Sequence, residues 1–384
     1  MNIKILHILG DSKFGGGAVV VLRLAQRARQ KGYEVAVLTT DKTFKKVLEE
    51  NNIEVVDLDV IWRKIRPLKD LIGFFRLYFF LRKSRFNVVH THTSKAGFVG
   101  RVASKLAGIP VIIHTVHGFA FHEESNFIEL KLFAFLEKIA SYFCDKIVTV
   151  SEFHRKWALE LRICNEEKIV AIPNGISEER VVPKRSKDEI LSELGVSQDE
   201  FIIMTMGRLA PQKGIEYLIK AIPVVRSQIR SSFRVLIVGD GPLRPYLEDL
   251  ATELQVKEYV CFLGFRGDVG DLLSITDIVV LPSLWEGLSI ALLEAMATGK
   301  PIITTSIGSN REVIENYVSG VMVPAKNQEA LAEAILELHN DRNCAKRLGI
   351  EAYRRYKSYY TENQMLDSYM HVYESLYSSK VQER

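Results

Sequence analysis

The chain has 384 residues, 47% of them hydrophobic and 26% charged, a globular balance that excludes a disordered or fibrous protein. At about 150 residues per domain, this length accommodates two full domains, each with its own core. The formal charge of +4 is too small to point to nucleic acid, and no apolar run approaches the ~18 residues of a spanning helix.

In chain order, short β-branched runs alternate with helical patterns. The first half predicts strands at 3–9, 34–39, 53–58, 88–92, 111–115 and 146–150, with helices at 18–31, 97–107 and 128–143. The second half predicts strands at 201–206, 234–238, 260–263, 278–281, 301–305 and 321–323. Its helices are predicted at 215–230, 242–254, 291–298 and 328–340. Such alternation predicts parallel sheets covered on both faces, here two of them. The pattern lapses between Pro173 and Lys187. The expected domains are therefore 1–178 and 179–358. Two doubly wound domains bind ligands at the carboxyl ends of their strands, so a cleft between them is expected. Residues 359–377 carry Met365, Leu366, Tyr369, Met370, Tyr373 and Leu376 at helical spacing.

The segment 2–9 alternates as a strand and carries no small-residue cleavage site, so a secretory signal is not expected. The cysteines (Cys144, Cys164, Cys261, Cys344) are scattered without paired spacing. They form neither a disulfide framework nor a zinc site, and a reducing cytoplasm is the expected compartment.

The charge is divided between the halves. Residues 1–175 hold 27 Lys and Arg against 18 Asp and Glu, or +9; the remainder holds 24 against 29, or −5. Between Trp62 and Asn87, Arg63, Lys64, Arg66, Lys69, Arg76, Arg82, Lys83 and Arg85 face one acid, Asp70, among many aromatics. This composition suits a helix lying on an anionic membrane. It equally suits a connecting helix whose aromatics are core and whose charges are solvated; the aromatic excess favours the membrane.

Three features of the second half point to a phosphorylated ligand. Gly207-Arg208 follows a strand, and Lys213-Gly214 precedes the next helix. A guanidinium and an ammonium there can converge on a diphosphate, although two solvated loop cations would look the same. Gly239-Asp240-Gly241-Pro242 reads as strand-to-helix turn chemistry. The third feature runs from Glu286 to Glu294 through Leu288 and Ser289, where a helix N-terminus offers N–H groups to an anion. The two carboxylates suit sugar hydroxyls.

In the first half, Gly15-Gly16-Gly17 follows the first strand without the dinucleotide spacing, which argues against a nicotinamide oxidoreductase. His90, His92, His114, His117 and His122 gather in and after two neighbouring strands. Hydrogen bonding to substrate fits them better than zinc, because no second ligand type accompanies them.

Together these residues resemble the retaining glycosyltransferases of family 4, with the GT-B fold, over nearly the whole chain. The resemblance rests on Gly15-Gly16-Gly17, His117-Gly118, Pro173-Asn174-Gly175, Gly207-Arg208, Lys213-Gly214 and the pair Glu286 and Glu294. The stretches from His90 to Gly97 and from His114 to Phe119 look like the branch that builds bacterial surface glycans. The resemblance implies an α/β fold of two Rossmann-like domains, with the C-terminal helix, about 359–384, crossing back to the N-terminal domain. It implies transfer of a sugar from a nucleotide-sugar, a UDP-sugar, to a lipid-linked or glycan acceptor. His117, Arg208, Lys213 and Glu286 would form the catalytic set. Gly16, Gly17, Asn174, Gly264, Phe265, Arg266, Leu288, Ser289 and Glu294 would bind the donor, the segment 264–266 reaching the base through its backbone.

His92, Ser94 and Lys95 would lie on the acceptor side, with Arg63, Lys64, Arg82, Lys83 and Arg85 at an anionic membrane surface. The expected location is cytoplasmic, peripheral on the inner face of the cell membrane. No metal or other cofactor is expected, since two cations can neutralise the diphosphate. Gly287-Leu288-Ser289 departs from the family pattern and leaves the sugar open. An inverting transferase using His117 or His92 as base, a sugar-nucleotide epimerase and a non-catalytic sugar-nucleotide-binding subunit are the alternatives.

Overall fold

A computed structural model describes residues 3–10, 15–62 and 66–382. The chain divides into two units, Met1–Asn174 with Asn363–Arg384, and Gly175–Glu362.

The first unit runs β1 (Lys4–Gly10), α1 (Gly16–Gln30), β2 (Glu34–Thr39), α2 (Lys42–Glu50), β3 (Glu54–Val56), α3 (Pro67–Lys83), β4 (Val88–His92) and α4 (Ser94–Ala107). It continues through β5 (Val111–Val116), α5 (Phe127–Ser141), β6 (Lys146–Thr149), α6 (Glu152–Glu160) and β7 (Ile169–Ala171). Its parallel sheet has the order β3-β2-β1-β4-β5-β6-β7, so strand order reverses between β1 and β4. The period of two along β1 assigns its side chains. Ile3, Ile5 and Leu9 share a core with α1 and α2, whereas Leu6 and Ile8 face a core that includes Leu77, Ala103, Ala134 and Ala158. His7 follows the parity of Ile5.

The second unit contains α7 (Lys187–Leu194), β8 (Phe201–Met206), α8 (Ile215–Gln228), β9 (Phe233–Val238), α9 (Arg244–Glu253), β10 (Val260–Gly264), α10 (Val269–Ile275) and β11 (Ile278–Leu281). Next come α11 (Ile290–Ala297), β12 (Ile302–Thr305), α12 (Gly308–Val313), β13 (Val321–Val323), α13 (Gln328–Asn340) and α14 (Arg342–Tyr359). Its parallel sheet is ordered β10-β9-β8-β11-β12-β13, reversing between β8 and β11.

The final helix, α15 (Glu362–Gln382), belongs to the first unit, as the family resemblance implies. Met365, Leu366, Tyr369, Met370 and Tyr373 are all buried in the core shared with β1 and α1. The change of unit falls at Asn174/Gly175, not 178/179, because Ile176 bridges Thr361 and so belongs with the second unit. A Cβ on Gly175 would lie 2.2 Å from the Thr361 carbonyl oxygen, so glycine permits that approach. Sequence patterning did not anticipate α2, α6, β7 or α14. The Asp341 carboxylate caps α14 by accepting from Cys344 N–H at 2.8 Å.

Candidate active site

In the second unit the sequence-predicted residues meet at the reversal between β8 and β11, the ligand position of open α/β sheets. Lys213 follows β8, and its stem lies across Gly207. That glycine has φ +147, and a Cβ there would come within 3.1 Å of Lys213 Cε. The Lys213 ammonium pairs with Glu286 Oε1, which also accepts from Ser283 Oγ at 2.9 Å. Gln212 Nε2 donates to Glu286 Oε2 at 3.1 Å.

Glu294, one turn into α11, is buried and pairs with Arg180. Burial raises its carboxyl above the ordinary 4.5, opposed by the Arg180 and Lys213 charges. The site thus alternates two cations and two carboxylates. Arg208 is exposed, and its guanidinium has no partner among the described residues.

Ser289 is the N-cap of α11 and accepts from Leu292 N–H at 3.4 Å, so its own hydroxyl occupies one of the N–H groups the sequence reading leaves for an anion. Leu288 and Asn174 are buried. Gly264 has φ +66 and accepts Gly239 N–H at 2.7 Å, while Phe265 is 80% exposed. The Arg266 guanidinium is turned away, paired with Asp268 and Glu193. Gln212, Ser283 and Arg180 were missed in sequence; the Arg180–Glu294 pair spans 114 positions, which local patterning does not register.

In the first unit, Gly16 and Gly17 open α1, whose N-terminus lacks a side-chain cap. The His117 ring lies 3.5–3.7 Å from where a Gly17 Cβ would be, so glycine leaves that face of the imidazole open. His117 Nε2 meets His92 Nδ1 at 3.1 Å, and His92 Nε2 meets His7 Nδ1 at 3.1 Å. Burial lowers His117 to about 4 and His7 to about 3, and holds His92 well below 6.5.

Three histidine expectations need correction. His92 is fully buried with both ring nitrogens engaged, so it does not present itself to an acceptor. His90 is fully buried between Tyr373 OH at 2.6 Å and Thr115 Oγ1 at 2.7 Å. His114 is buried against Thr91 Oγ1 at 3.0 Å. All three sit inside strands whose two faces are covered.

Ring nitrogens of His7, His90 and His92 lie within 4.8 Å of one another, a spacing a metal ion can use. Both nitrogens of His90 and of His92 already have hydrogen-bond partners, however, and no carboxylate joins the group. Thr93, just after β4, has φ +61 and ψ 158. That is strain of about 1–3 kcal/mol for a β-branched residue and is concentrated beside this cluster.

Ser94 is exposed, whereas Lys95 is held by Asp70 at 2.7 Å. Arg63 and Lys64 lie outside the described residues. Arg82, Lys83 and Arg85 are exposed on and after α3. That helix buries Gly73, Leu77 and Leu81 yet exposes Leu68, Leu71, Ile72, Phe75 and Phe79. A connecting helix needs one apolar stripe; α3 has two. On α5, Phe127, Ile128, Leu132, Phe135 and Leu136 are exposed as well, a face that sequence reading did not separate from core. No helix among the described residues is long and apolar enough to cross a membrane.

Two parallel doubly wound units, a cation–carboxylate cluster at the switch point of the second and a C-terminal helix returning to the first define a GT-B glycosyltransferase. The family model for glycosyltransferase family 4 matches residues 14–180, and that for glycosyl transferases group 1 matches residues 186–355. An uncharacterized glycosyltransferase of Methanocaldococcus jannaschii is 30% identical over 85% of this chain and 86% of its own. The Escherichia coli UDP-Gal:alpha-D-GlcNAc-diphosphoundecaprenol alpha-1,3-galactosyltransferase is 28% identical, covering 89% of each chain. The crystal structure of Anabaena HepE in complex with UDP-glucose superposes with a TM-score of 0.84 at 23% identity, over 97% of this chain and 100% of that one. The chain belongs to this family of glycosyltransferases and is a transferase.

Proposed function

We propose that the protein is a retaining transferase that moves a sugar from a UDP-sugar to a lipid-linked or glycan acceptor in bacterial surface-polysaccharide assembly. The observation that carries this reading is the placement of Lys213 against Glu286, near the buried Glu294, at the switch point of the second sheet. Support for the donor and acceptor classes comes from the name of the Escherichia coli relative and the UDP-glucose held by the Anabaena protein.

Breaking a glycosyl–phosphate bond places negative charge on the departing diphosphate. Arg208 and Lys213 stabilise it as fixed donors. Lys213 exchanges its carboxylate partner for a phosphate oxygen, and Glu286, released, accepts from sugar hydroxyls. Glu294, fixed by Arg180, accepts from the ribose hydroxyls. Glu294 stays paired with Arg180 and Glu286 is engaged by sugar hydroxyls, which leaves no carboxylate assigned as covalent nucleophile and supports attack from the face of the leaving group. Two cations, Arg208 and Lys213, suffice to neutralise the departing diphosphate, which supports metal-independent transfer.

A second reading, resting on the exposed apolar faces of α3 and α5, is that the first unit attaches peripherally to an anionic membrane. Thermal stabilisation by a panel of nucleotide-sugars tests the donor: at 100 times its dissociation constant a donor adds about 2.7 kcal/mol. Radiolabelled transfer to a lipid-linked acceptor, with the anomeric configuration of the product read by NMR, then tests the reaction. An inverted product removes the retaining mechanism.

A further inference from the structure

The three imidazoles His7, His92 and His117 form one continuous hydrogen-bonded chain whose direction is set at its buried end. Each neutral ring has one N–H, so two directions exist. If His117 Nε2 and His92 Nε2 were the donors, the His7 proton would sit on Nε2. That atom is buried with no hydrogen-bond partner among the described residues. An orphaned buried N–H is among the rarest defects of folded proteins, whereas a bare lone pair is better tolerated. The opposite direction leaves only a lone pair there. His7 Nδ1–H then donates to His92 Nε2, and His92 Nδ1–H donates to His117 Nε2.

We infer that this relay fixes His117 as the Nδ1–H tautomer, so that it offers its ligand a hydrogen-bond donor and no basic nitrogen. His7 and His92 are positioning residues for His117. Burial keeps all three rings uncharged at neutral pH. The assembly is braced from the side: His90 packs 4.1 Å, centroid to centroid, from His92. Its own nitrogens are held by Thr115 and by Tyr373 of α15.

Among the described residues, His117 Nδ1 has no partner, so its proton is available to an acceptor oxygen such as a sugar hydroxyl or phosphate. This deepens the proposed function and rests on that reaction, together with the catalytic role the family resemblance implies for His117. It also bears on stereochemistry, because an inverting reaction would need a lone pair where the relay places a proton.

The test uses full-length protein labelled with ¹⁵N-histidine, its nine histidines assigned by single substitutions. Long-range ¹⁵N–¹H correlations should show His117 protonated on Nδ1. Protonation on Nε2 overturns the inference, whatever the activity. His92→Asn retains an amide donor near the Nδ1 position and should preserve the tautomer, with transfer within about twofold of wild type. His92→Phe should give mixed tautomers and a fall of roughly three- to tenfold in kcat/KM, the worth of about one neutral hydrogen bond. An unchanged His117 tautomer in His92→Phe overturns the relay; if that variant does not fold, the wild-type spectrum alone decides. Wild-type transfer by His117→Ala, with an intact relay in the wild-type spectrum, would instead refute the placement of His117 at the donor.

Discussion

Lys213 and Glu286, 73 positions apart, are joined as an ion pair between the loops that follow β8 and β11. The ammonium proposed to receive a diphosphate is therefore kept in place by a carboxylate proposed to receive a sugar. Lys213→Ala should lower turnover by 10² to 10³, the roughly 2.7–4 kcal/mol lost with one charge-stabilising donor. Because the partners are in contact, Lys213→Ala with Glu286→Gln should cost less than the two single changes added together. Turnover of Lys213→Ala within a few-fold of wild type would remove the diphosphate assignment.

Glu294 sets a pH dependence. Burial raises its carboxyl above 4.5 despite Arg180. Ribose hydroxyls need the ionised form as acceptor, so donor affinity should weaken as pH falls, with a midpoint above 4.5. The stability effect has the opposite sign. The folded state binds this proton more tightly than the unfolded one, so stability contributed by Glu294 declines as pH rises from the unfolded to the folded pKa. Glu294→Gln should therefore hold or raise Tm at neutral pH while abolishing the shift induced by donor. A full donor-induced shift in Glu294→Gln would exclude the ribose role.

The proposed metal independence rests on Arg208 and Lys213 neutralising the diphosphate. Exhaustive EDTA treatment should leave transfer unchanged, and added Mg²⁺ or Mn²⁺ should not raise it. Restoration of a chelated, inactive enzyme by either ion would show that the cations of this chain do not suffice for the leaving group.

Much of this architecture is readable from sequence because it is local. Strand–helix alternation, the glycines of tight strand ends and the apolar spacing from Met365 to Tyr373 each act over a few residues. Lys213, Glu286 and Glu294 are legible for the same reason, each lying beside a strand end or helix start. His7 is not, since in sequence it is one polar position in an alternating strand, and its partner His92 is 85 positions away. Nor is Arg180, whose environment is made by α11. The α5 face fails differently: its apolar residues have core composition, and only the packing of α3 and α4 decides which of them remain outside.

The return of α15 predicts a unit that depends on its distant C-terminus. Met365, Leu366, Tyr369, Met370 and Tyr373 are buried, each contributing about 1.5–3 kcal/mol. Together they approach the roughly 5–15 kcal/mol that holds a whole domain. Truncation after Thr361 should abolish the calorimetric transition of the first unit while the Gly175–Thr361 portion still unfolds cooperatively. Tyr369→Ala, which also loses a 3.1 Å hydrogen bond to Thr115, should cost about 3–5 kcal/mol. An unaltered first-unit transition after truncation would show the helix to be dispensable.

Membrane attachment requires both apolar faces and charge. On α3, Leu68 and Ile72 are 79% and 60% exposed; on α5, Phe127 and Ile128 are 69% and 78% exposed. Solvent alone gives no reason for such a surface, and patches of this kind mark interaction sites. Exposed Lys69, Arg76, Arg82, Lys83 and Arg85 surround the α3 face, and Lys131 and Lys138 lie on α5. Near an anionic surface each contributes about 1 kcal/mol, screened beyond about 8 Å, while inserted Phe and Leu side chains add burial. Liposome sedimentation should show binding that requires anionic lipid and weakens with salt. Changing Lys69, Arg76, Arg82, Lys83 and Arg85 to Ser should remove the lipid-charge dependence. Changing Phe127, Ile128 and Leu132 to Ser should weaken binding even at low salt, because insertion rather than attraction is lost. Equal recovery on neutral and anionic liposomes would remove the anionic-surface reading, and binding indifferent to both variants would remove the membrane role of these faces; either result leaves the transferase chemistry untouched.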